Sequence, residues 1–214
     1  MELPSGPRVA SMTTDIEPIG VVLAGGFSSR MGRDKGLLPI GIGKYFLTRC
    51  IRRLSFVCSR ILVSVRSDQI SEYSTFVSKK DLVCDLPFSF GGPLVGLLSV
   101  FSFCRENRIL SPLLTLPVDM PFVRVRSLAR IKKAGEQFPQ GVFCRIKGEL
   151  EPICGLFPYS YLEDWMKEWE EGSLSEVSPK SKLENRNLVL FDLSEQEEKF
   201  FKNINFPSEY IRIR

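Results

Sequence analysis

The 214-residue sequence contains no histidine. This absence excludes Ser-His-Asp triads, imidazole general bases and zinc sites built on histidine. Catalysis would have to use carboxylates, lysine, arginine, backbone amides or a metal held by oxygen ligands. The sequence also has no Cys-x-x-Cys pair, and most of its six cysteines lie in apolar runs. We therefore expect buried free thiols in a cytoplasmic protein rather than disulfides.

Long apolar runs and a strong charge of either sign are missing as well. No apolar run approaches the ~20 residues needed to span a bilayer, so no membrane partner is expected. Residues 1–16 lack the apolar core of a signal peptide, which predicts a disordered N-terminal extension before a single domain over residues 17–214. The 29 Lys and Arg against 25 Asp and Glu give a net charge of +4. This excess is too small for nucleic-acid binding but suits small phosphate-bearing ligands.

Apolar, β-branched segments alternate with segments of helical periodicity along the chain. The predicted strands lie from Ile19 to the glycine pair that follows it and over residues 60–66, 81–85, 110–119, 141–146, 151–157 and 188–192; the predicted helices cover residues 45–57, 93–107, 124–137 and 161–171. This order predicts an α/β fold, a three-layer α/β/α architecture around a doubly wound, mostly parallel, Rossmann-like sheet. Ligands of such sheets bind outside the carboxyl ends of the strands.

The segment LAGGFSSRMGRDK, residues 23–35, follows the first predicted strand. Gly25 and Gly26 allow backbone amides to approach a ligand closely, and Arg30 and Arg33 add positive charge beside the final lysine. Such a loop is suited to a triphosphate or its transition state, whereas the alternative is a surface turn with solvated charges. The spacing is neither that of a Walker A loop nor that of a dinucleotide-binding fingerprint.

The same segment resembles the signature L-A-G-G-x-S-x-R-M-G-x-D-K of the molybdenum cofactor guanylyltransferases, within the nucleotide-diphospho-sugar transferase fold. Three further segments are similar to motifs of that family and occur in the same order. They are GGPLVGL at 91–97, LPVDMPFV at 116–123 and FKNINFPSEY at 201–210. EPICGLF at 151–157 is similar to one more family segment. The resemblance extends over residues 19–211, nearly the whole chain.

The resemblance implies a role for each matching residue. The nucleotide-binding residues would be Leu23, Ala24, Gly25, Gly26, Lys35, Arg66, Asp85, Gly92, Pro93, Leu94 and Asp119. Asp85 would hold the guanosine part of GTP, and Asp119 would bind Mg²⁺ with the phosphates, a suitable task for a hard carboxylate at a strand end. Arg30, Lys35 and Asp119 would act catalytically. Capping or turn formation remains the alternative for both aspartates.

The acceptor side of the implied site is matched less closely. Asn203 and Asn205 stand where the family has asparagines that bind the acceptor or the metal, although helix capping is an alternative for both. Arg66 stands where family members often carry asparagine, and Phe206 replaces the usual threonine. Residues 172–185 match the family's basic segment poorly. The acceptor site is therefore the part of the resemblance that departs most from the family.

The implied reaction is transfer of GMP from GTP to the terminal phosphate of molybdenum-loaded molybdopterin, with release of pyrophosphate. The enzyme would work with Mg²⁺ as a monomer, with transient contact to molybdenum-insertion or apo-molybdoenzyme proteins. The alternatives are a CTP-dependent sister enzyme, another nucleotidyltransferase of the fold, and a non-catalytic carrier. In the family, the glycine pair and GGPLVG favour guanine.

Two further patterns favour structural roles. Trp165 and Trp169 lie four residues apart on a predicted amphipathic helix, which is typical of core packing rather than of pterin stacking. Arg124, Arg126 and Arg130 predict a solvated basic helix face rather than a surface that steers the acceptor.

Overall fold

The computed structural model describes residues 17–26, 28, 30–175 and 177–211, so the predicted N-terminal extension lies outside the described residues. The described strands are β1 (Ile19–Leu23), β2 (Pro39–Gly41), β3 (Lys44–Tyr45), β4 (Ile61–Val65), β5 (Leu82–Cys84), β6 (Leu113–Pro117), β7 (Val142–Ile146), β8 (Glu149–Phe157) and β9 (Val189–Asp192). The described α-helices are α1 (Phe46–Leu54), α2 (Ile70–Tyr73), α3 (Pro93–Glu106), α4 (Val125–Gln137), α5 (Tyr159–Glu170), α6 (Pro179–Glu184), α7 (Glu195–Glu198) and α8 (Pro207–Ile211).

Seven strands form one sheet in the order β5-β4-β1-β6-β8-β7-β9. Strand β1 pairs in parallel with β4 and β6, and β4 pairs in parallel with β5. Strand β8 runs antiparallel to both β6 and β7, whereas β7 and β9 are parallel. The predicted mostly parallel sheet is thus confirmed, with β8 as its reversed strand. Strands β2 and β3 form a separate two-stranded hairpin.

Helices cover both faces of the sheet. All five residues of β1 are buried, and its alternate side chains enter different cores: Val22 packs with α1 and α4, whereas Val21 and Leu23 pack with α3 and α5. A strand covered on both sides has no face for polar residues, which explains its continuous apolar run. The predicted three-layer architecture is confirmed.

The parallel strands deliver their following loops to one edge of the sheet. Backbone hydrogen bonds continue past the strand ends, from Val118 N to Leu23 O and from Ala24 N to Ser64 O, each 3.0 Å long. These bonds hold the ends of β1, β4 and β6 side by side. The glycine loop, the segment after β4 and the turn after β6 therefore lie next to one another.

The two tryptophans of α5 have different surroundings. Trp165 is buried in the core as predicted, whereas Trp169 is 37% exposed and its ring centre lies 4.6 Å from that of Phe88.

The basic face of α4 is partly covered by the C-terminal region: the guanidinium of Arg124 stacks 3.5 Å from the centre of the Phe200 ring. Arg130 binds Glu197 at 2.9 Å. The solvated basic face that we predicted is therefore partly covered at Arg124, whereas Arg126 and Arg130 are exposed.

All six cysteines are free thiols, as the sequence predicts. Five of them are buried, and Cys84 at the end of β5 is exposed. Among the described residues, no helix combines the length and the apolar character needed to cross a lipid bilayer.

Candidate active site

The centre of the candidate site is the side chain of Lys35, at the end of the glycine loop. Its ammonium donates to Asp119 Oδ2 at 2.8 Å and to Asn205 Oδ1 at 2.6 Å. Its backbone amide donates to Ser28 Oγ at 3.3 Å. Side-chain exposure is 14% for Lys35 and 22% for Asp119, so this ion pair is mostly shielded from water. Residues 84 and 170 positions away in sequence thus converge on one cation.

The turn after β6 and the C-terminal segment position the two acceptors of Lys35. The turn is closed by a 3.0 Å hydrogen bond from Met120 N to Pro117 O, which places Asp119 directly beyond the strand end. Ile204 N donates to Asp119 O at 2.9 Å and so attaches the C-terminal segment to this turn. Asn205 follows at once in sequence, and Asn203 lies half-buried on the other side of Ile204.

The side chain of Glu209 fixes the backbone on which Asn205 lies. One of its carboxylate oxygens accepts hydrogen bonds from Asn205 N at 2.8 Å and from Phe206 N at 3.2 Å. These bonds lower the pKa of Glu209, so the carboxylate is ionised and acts only as an acceptor. The asparagine is therefore held by a cap at the start of α8, while its own side chain remains directed at Lys35.

Asp85, the residue directly after β5, lies against the glycine loop. Its Oδ1 accepts a 2.6 Å hydrogen bond from the hydroxyl of Ser64, a buried residue of β4. A Cβ atom on Gly25 would lie 2.0 Å from Asp85 Oδ2, so any other residue at this position would displace the carboxylate. Burial raises the pKa of Asp85, against the opposing effects of Ser64 and Arg66. The site thus contains a partly desolvated carboxyl group next to the loop backbone.

The segment GGPL forms the N-terminus of α3. Gly92 has φ +91°, a conformation that favours glycine, and is the N-cap residue; Pro93 occupies the first turn. Leu94 is fully buried in the core that α3 and α5 form with the sheet. The N-terminus of α3 lies at the same edge of the sheet as Asp85. Its backbone amides favour the binding of anions there.

The loop arginines contact aromatic side chains of the C-terminal segment. Arg30 is exposed, and its guanidinium lies 5.9 Å from the centre of the Phe206 ring. Arg33 lies 5.6 Å from the centre of the Tyr210 ring, and the Tyr210 hydroxyl donates to Pro39 O at 2.7 Å. The structure therefore places Arg30 beside the residue that replaces the family's threonine, at the margin of the Lys35 cluster.

Four polar side chains behind the glycine loop form a network, and the sequence gives little sign of it. The network consists of Arg66, Gln69, Asp34 and Tyr73. Arg66 donates to two loop carbonyls, and Gln69 donates to a third and to Asp34. Asp34 carries a signal in sequence as the aspartate of the R-M-G-x-D-K signature, and the resemblance implies Arg66 only as a nucleotide contact. Gln69 and Tyr73 carry no such signal. Ser64 was also missed, since it lies inside an apolar strand pattern.

Two oxygen atoms that bind Lys35 are of the type that a divalent metal prefers. Asp119 Oδ2 and Asn205 Oδ1 both lie within 2.8 Å of one cationic nitrogen, so two hard ligands already converge on a common point. Among the described residues, no group of three or more acidic or cysteine side chains forms a complete metal site. A metal at this position would therefore keep waters or ligand phosphate oxygens in its coordination sphere, as Mg²⁺ does in nucleotide enzymes.

The chain is similar to known proteins both in sequence and in fold. The family described as MobA-like NTP transferase domain matches residues 20–183. The chain is 28% identical over 195 residues to a probable molybdenum cofactor guanylyltransferase of a Geobacillus species, covering 89% of this chain and 95% of the relative. It is 35% identical over 148 residues to the molybdenum cofactor guanylyltransferase of Rhizobium meliloti, covering 69% of this chain and 66% of the relative.

The fold is also found in solved structures. Molybdopterin-guanine dinucleotide biosynthesis protein A from Archaeoglobus fulgidus superposes with a TM-score of 0.71 at 20% identity, covering 91% of this chain and 96% of that chain. A nucleotidyl transferase from Methanothermobacter superposes with a TM-score of 0.68 at 21% identity, covering 92% of this chain and 96% of that chain. With the family match over most of its length, the chain belongs to the MobA-like NTP transferase domain family and is a nucleotidyltransferase.

Proposed function

We propose that this protein transfers GMP from GTP to the terminal phosphate of molybdenum-loaded molybdopterin, forming the guanine dinucleotide cofactor and pyrophosphate. The observation that carries the proposal is the convergence of Lys35, Asp119 and Asn205 at the carboxyl edge of the sheet. The names of the relatives in Geobacillus and Rhizobium meliloti support the choice of substrates.

The transfer needs no covalent enzyme intermediate. An oxygen of the acceptor phosphate attacks the α-phosphorus of GTP, the bond between that phosphorus and the oxygen bridging to the β-phosphorus breaks, and pyrophosphate leaves with this bridging oxygen. The protein's task is to align these atoms and to stabilise the negative charge of the transition state. Backbone amides of the glycine loop and the ammonium of Lys35 supply this stabilisation. A chain without histidine is suited to such a reaction, because the acceptor phosphate is already a nucleophile.

The chain offers a separate surface for each part of the substrates. Asp85, beside Gly25, holds the guanosine part, where its carboxylate accepts hydrogen bonds from N–H or O–H donors. The N-terminus of α3 at Gly92 shapes the same pocket. Asn203 and Asn205 face the acceptor, and Arg30 adds positive charge at the margin of the site.

We further propose Mg²⁺ as the metal that Asp119 binds, with Asn205 as a neighbouring oxygen donor. When bound there, Mg²⁺ neutralises charge on the phosphates of GTP. Lys35 exchanges its present carboxylate partner for a phosphate oxygen when the nucleotide arrives, which keeps its positive charge paired throughout. Monomeric action, a cytoplasmic location and transient contact with molybdenum-insertion or apo-molybdoenzyme proteins stay predictions.

The test is pyrophosphate release by the purified protein, with Mg²⁺ and molybdenum-loaded molybdopterin, in the presence of GTP or CTP. We expect pyrophosphate release with GTP but not with CTP, and we expect this release to be lost in Asp119→Ala. Asp192→Ala is the matched control, because Asp192 is an exposed carboxylate paired with Arg145. Release with CTP would identify the sister activity, and GTP binding without release with either nucleotide would favour a carrier.

A further inference from the structure

Three carbonyl groups near the start of the glycine loop accept hydrogen bonds from side chains that follow β4. The carbonyl oxygens of Gly25 and Gly26 accept hydrogen bonds from Arg66 Nη1 at 3.1 and 2.7 Å. The carbonyl oxygen of Ala24 accepts one from Gln69 Nε2 at 3.2 Å. Three successive peptide carbonyls are thus held by two side chains that follow β4.

This arrangement determines where the loop amides point. In a trans peptide unit the C=O and N–H bonds lie in one plane and point in opposite directions. Because the carbonyls of Ala24 and Gly25 face Arg66 and Gln69, the amides of Gly25 and Gly26 face away from them. In the part of the chain that the structure describes, neither amide donates a backbone hydrogen bond. Two donors are therefore available on the opposite side of the loop.

The side chains that hold the carbonyls are themselves fixed. Gln69 is 4% exposed, and its Oε1 accepts a 2.8 Å hydrogen bond from Arg66 N. Its amide nitrogen also donates to Asp34, whose other oxygen accepts from Tyr73 Oη at 2.7 Å and from Gly36 N at 2.8 Å. The network therefore ties the two ends of the glycine loop to the same scaffold.

The hydroxyl of Tyr73 strengthens this scaffold. Tyr73 is fully buried, and this burial raises the pKa of its hydroxyl. The hydroxyl therefore keeps its proton and remains a donor to Asp34. A Cβ on Gly36 would lie 2.0 Å from this hydroxyl, which shows how closely the loop backbone packs against it. Another edge of the Arg66 guanidinium donates from Nε and Nη2 to the two carboxylate oxygens of Asp68, at 3.0 and 2.9 Å. The guanidinium is therefore held between the loop and this carboxylate.

We propose that Arg66 and Gln69 are positioning residues for the nucleotide: by binding three successive loop carbonyls, they aim the loop amides at the triphosphate. The inference rests on the proposed binding of GTP by this loop. It assigns Arg66 an indirect role, through the backbone, in place of the direct nucleotide contact that the resemblance implies. The charge of Arg66 is already paired with Asp68, whereas its planar fork is needed to reach the carbonyls.

The inference is tested by comparing ligands that differ in phosphate content. Affinities for GTP and for inorganic tripolyphosphate are measured by calorimetry, and that for guanosine by competition against a fluorescent GTP analogue. The variants are Gln69→Met, which removes the donor without changing charge, and Arg66→Lys, which keeps the charge but loses the fork. Glu72→Gln is the control, since Glu72 is an exposed residue of α2, the helix that begins directly after Gln69.

We expect the affinity of both variants for GTP and tripolyphosphate to fall about tenfold or more, because a hydrogen bond to a charged group contributes about this much to binding. Their affinity for guanosine and the behaviour of Glu72→Gln should stay unchanged. An equal loss for all three ligands, with a lowered Tm, would reduce the network to a purely structural role and overturn the inference. Wild-type affinity in Arg66→Lys would also overturn it, because charge alone would then suffice.

The inference and the proposed function fail in different ways. A wild-type protein that binds neither GTP nor tripolyphosphate would overturn the positioning role. A wild-type protein that binds both but releases no pyrophosphate would refute only the proposed transfer, and a phosphate-dependent loss in the variants would still support the positioning role.

Discussion

The fit between Gly25 and Asp85 makes a quantitative prediction for the substitution Gly25→Ala. The added Cβ would lie 2.0 Å from Asp85 Oδ2, whereas ordinary contacts begin at 3.4 Å, so the carboxylate must retreat by about 1.4 Å. That movement breaks the 2.6 Å hydrogen bond from Ser64, whose hydroxyl is buried. A lost buried hydrogen bond and overpacking together cost about 3 kcal/mol.

The assay is thermal unfolding, which does not depend on any ligand. For a chain of this size we expect the Tm of Gly25→Ala to fall by roughly 6–12 °C. Gly26→Ala is the matched control, because a Cβ at Gly26 meets nothing within 4 Å. Its Tm should stay within about 2 °C of the wild-type value, since substitutions without strain change stability little.

A double-mutant cycle identifies the cause of the loss. In an Asp85→Ala background the clashing carboxylate is gone, so Gly25→Ala should lower the free energy of unfolding by less than about 0.5 kcal/mol. Equal Tm values for the Gly25→Ala and Gly26→Ala proteins would refute the reasoning. A cost for Gly25→Ala that persists without the carboxylate would refute it too, because the strain would then lie in the loop backbone.

Three further predictions concern charge, protonation and the C-terminal segment. Lys35→Met leaves Asp119 without its cation, and pyrophosphate release should fall about 100-fold in kcat; a loss below threefold would exclude Lys35 from the transition state. Burial raises the pKa of Asp85 in the folded state. Ionised Asp85 therefore lowers the free energy of unfolding when the pH is above the folded-state pKa, whereas below the unfolded-state pKa the carboxyl is protonated in both states and has no such effect. Asp85→Asn should therefore raise the Tm at pH 7 but not near pH ~3, where both states are protonated; a gain that is the same at both pH values would contradict the shift. Tyr210→Phe removes the 2.7 Å hydrogen bond to Pro39 O and should lower the denaturant midpoint by an amount equal to about 1 kcal/mol, with an unchanged midpoint as the contrary result.

The sequence predicts the sheet well where burial determines the pattern. Strands covered on both faces are continuous apolar runs, so β1, β4 and β6 could be placed from composition alone, and the amphipathic α1 and α4 from their period. The reversed direction of β8 could not be read, because an apolar run has the same pattern in either direction. The hairpin of β2 and β3 and the four-residue α2 are too short to show a period.

The candidate site divides in the same way. That residues after β1, β5 and β6 share one edge follows from the rule for parallel sheets, so Lys35, Asp85 and Asp119 could be expected near one another. The contacts of Gln69 with Ala24 and Asp34 join residues 45 and 35 positions apart through a side chain with no motif around it. Such contacts depend on the packing of α2 against the loop, which is a property of the folded structure and not of any local pattern.

The hydrogen bond between Lys35 and Asn205 also bears on the order in which the candidate site is assembled during synthesis. The ribosome makes the glycine loop early, together with the strand that precedes it, but Asn205 is added 170 residues later. A nascent chain can build much of the sheet in the meantime, yet its lysine has no amide partner until Asn205 has been added. A chain that stops before residue 205 therefore leaves the ammonium of Lys35 with Asp119 but without its amide acceptor.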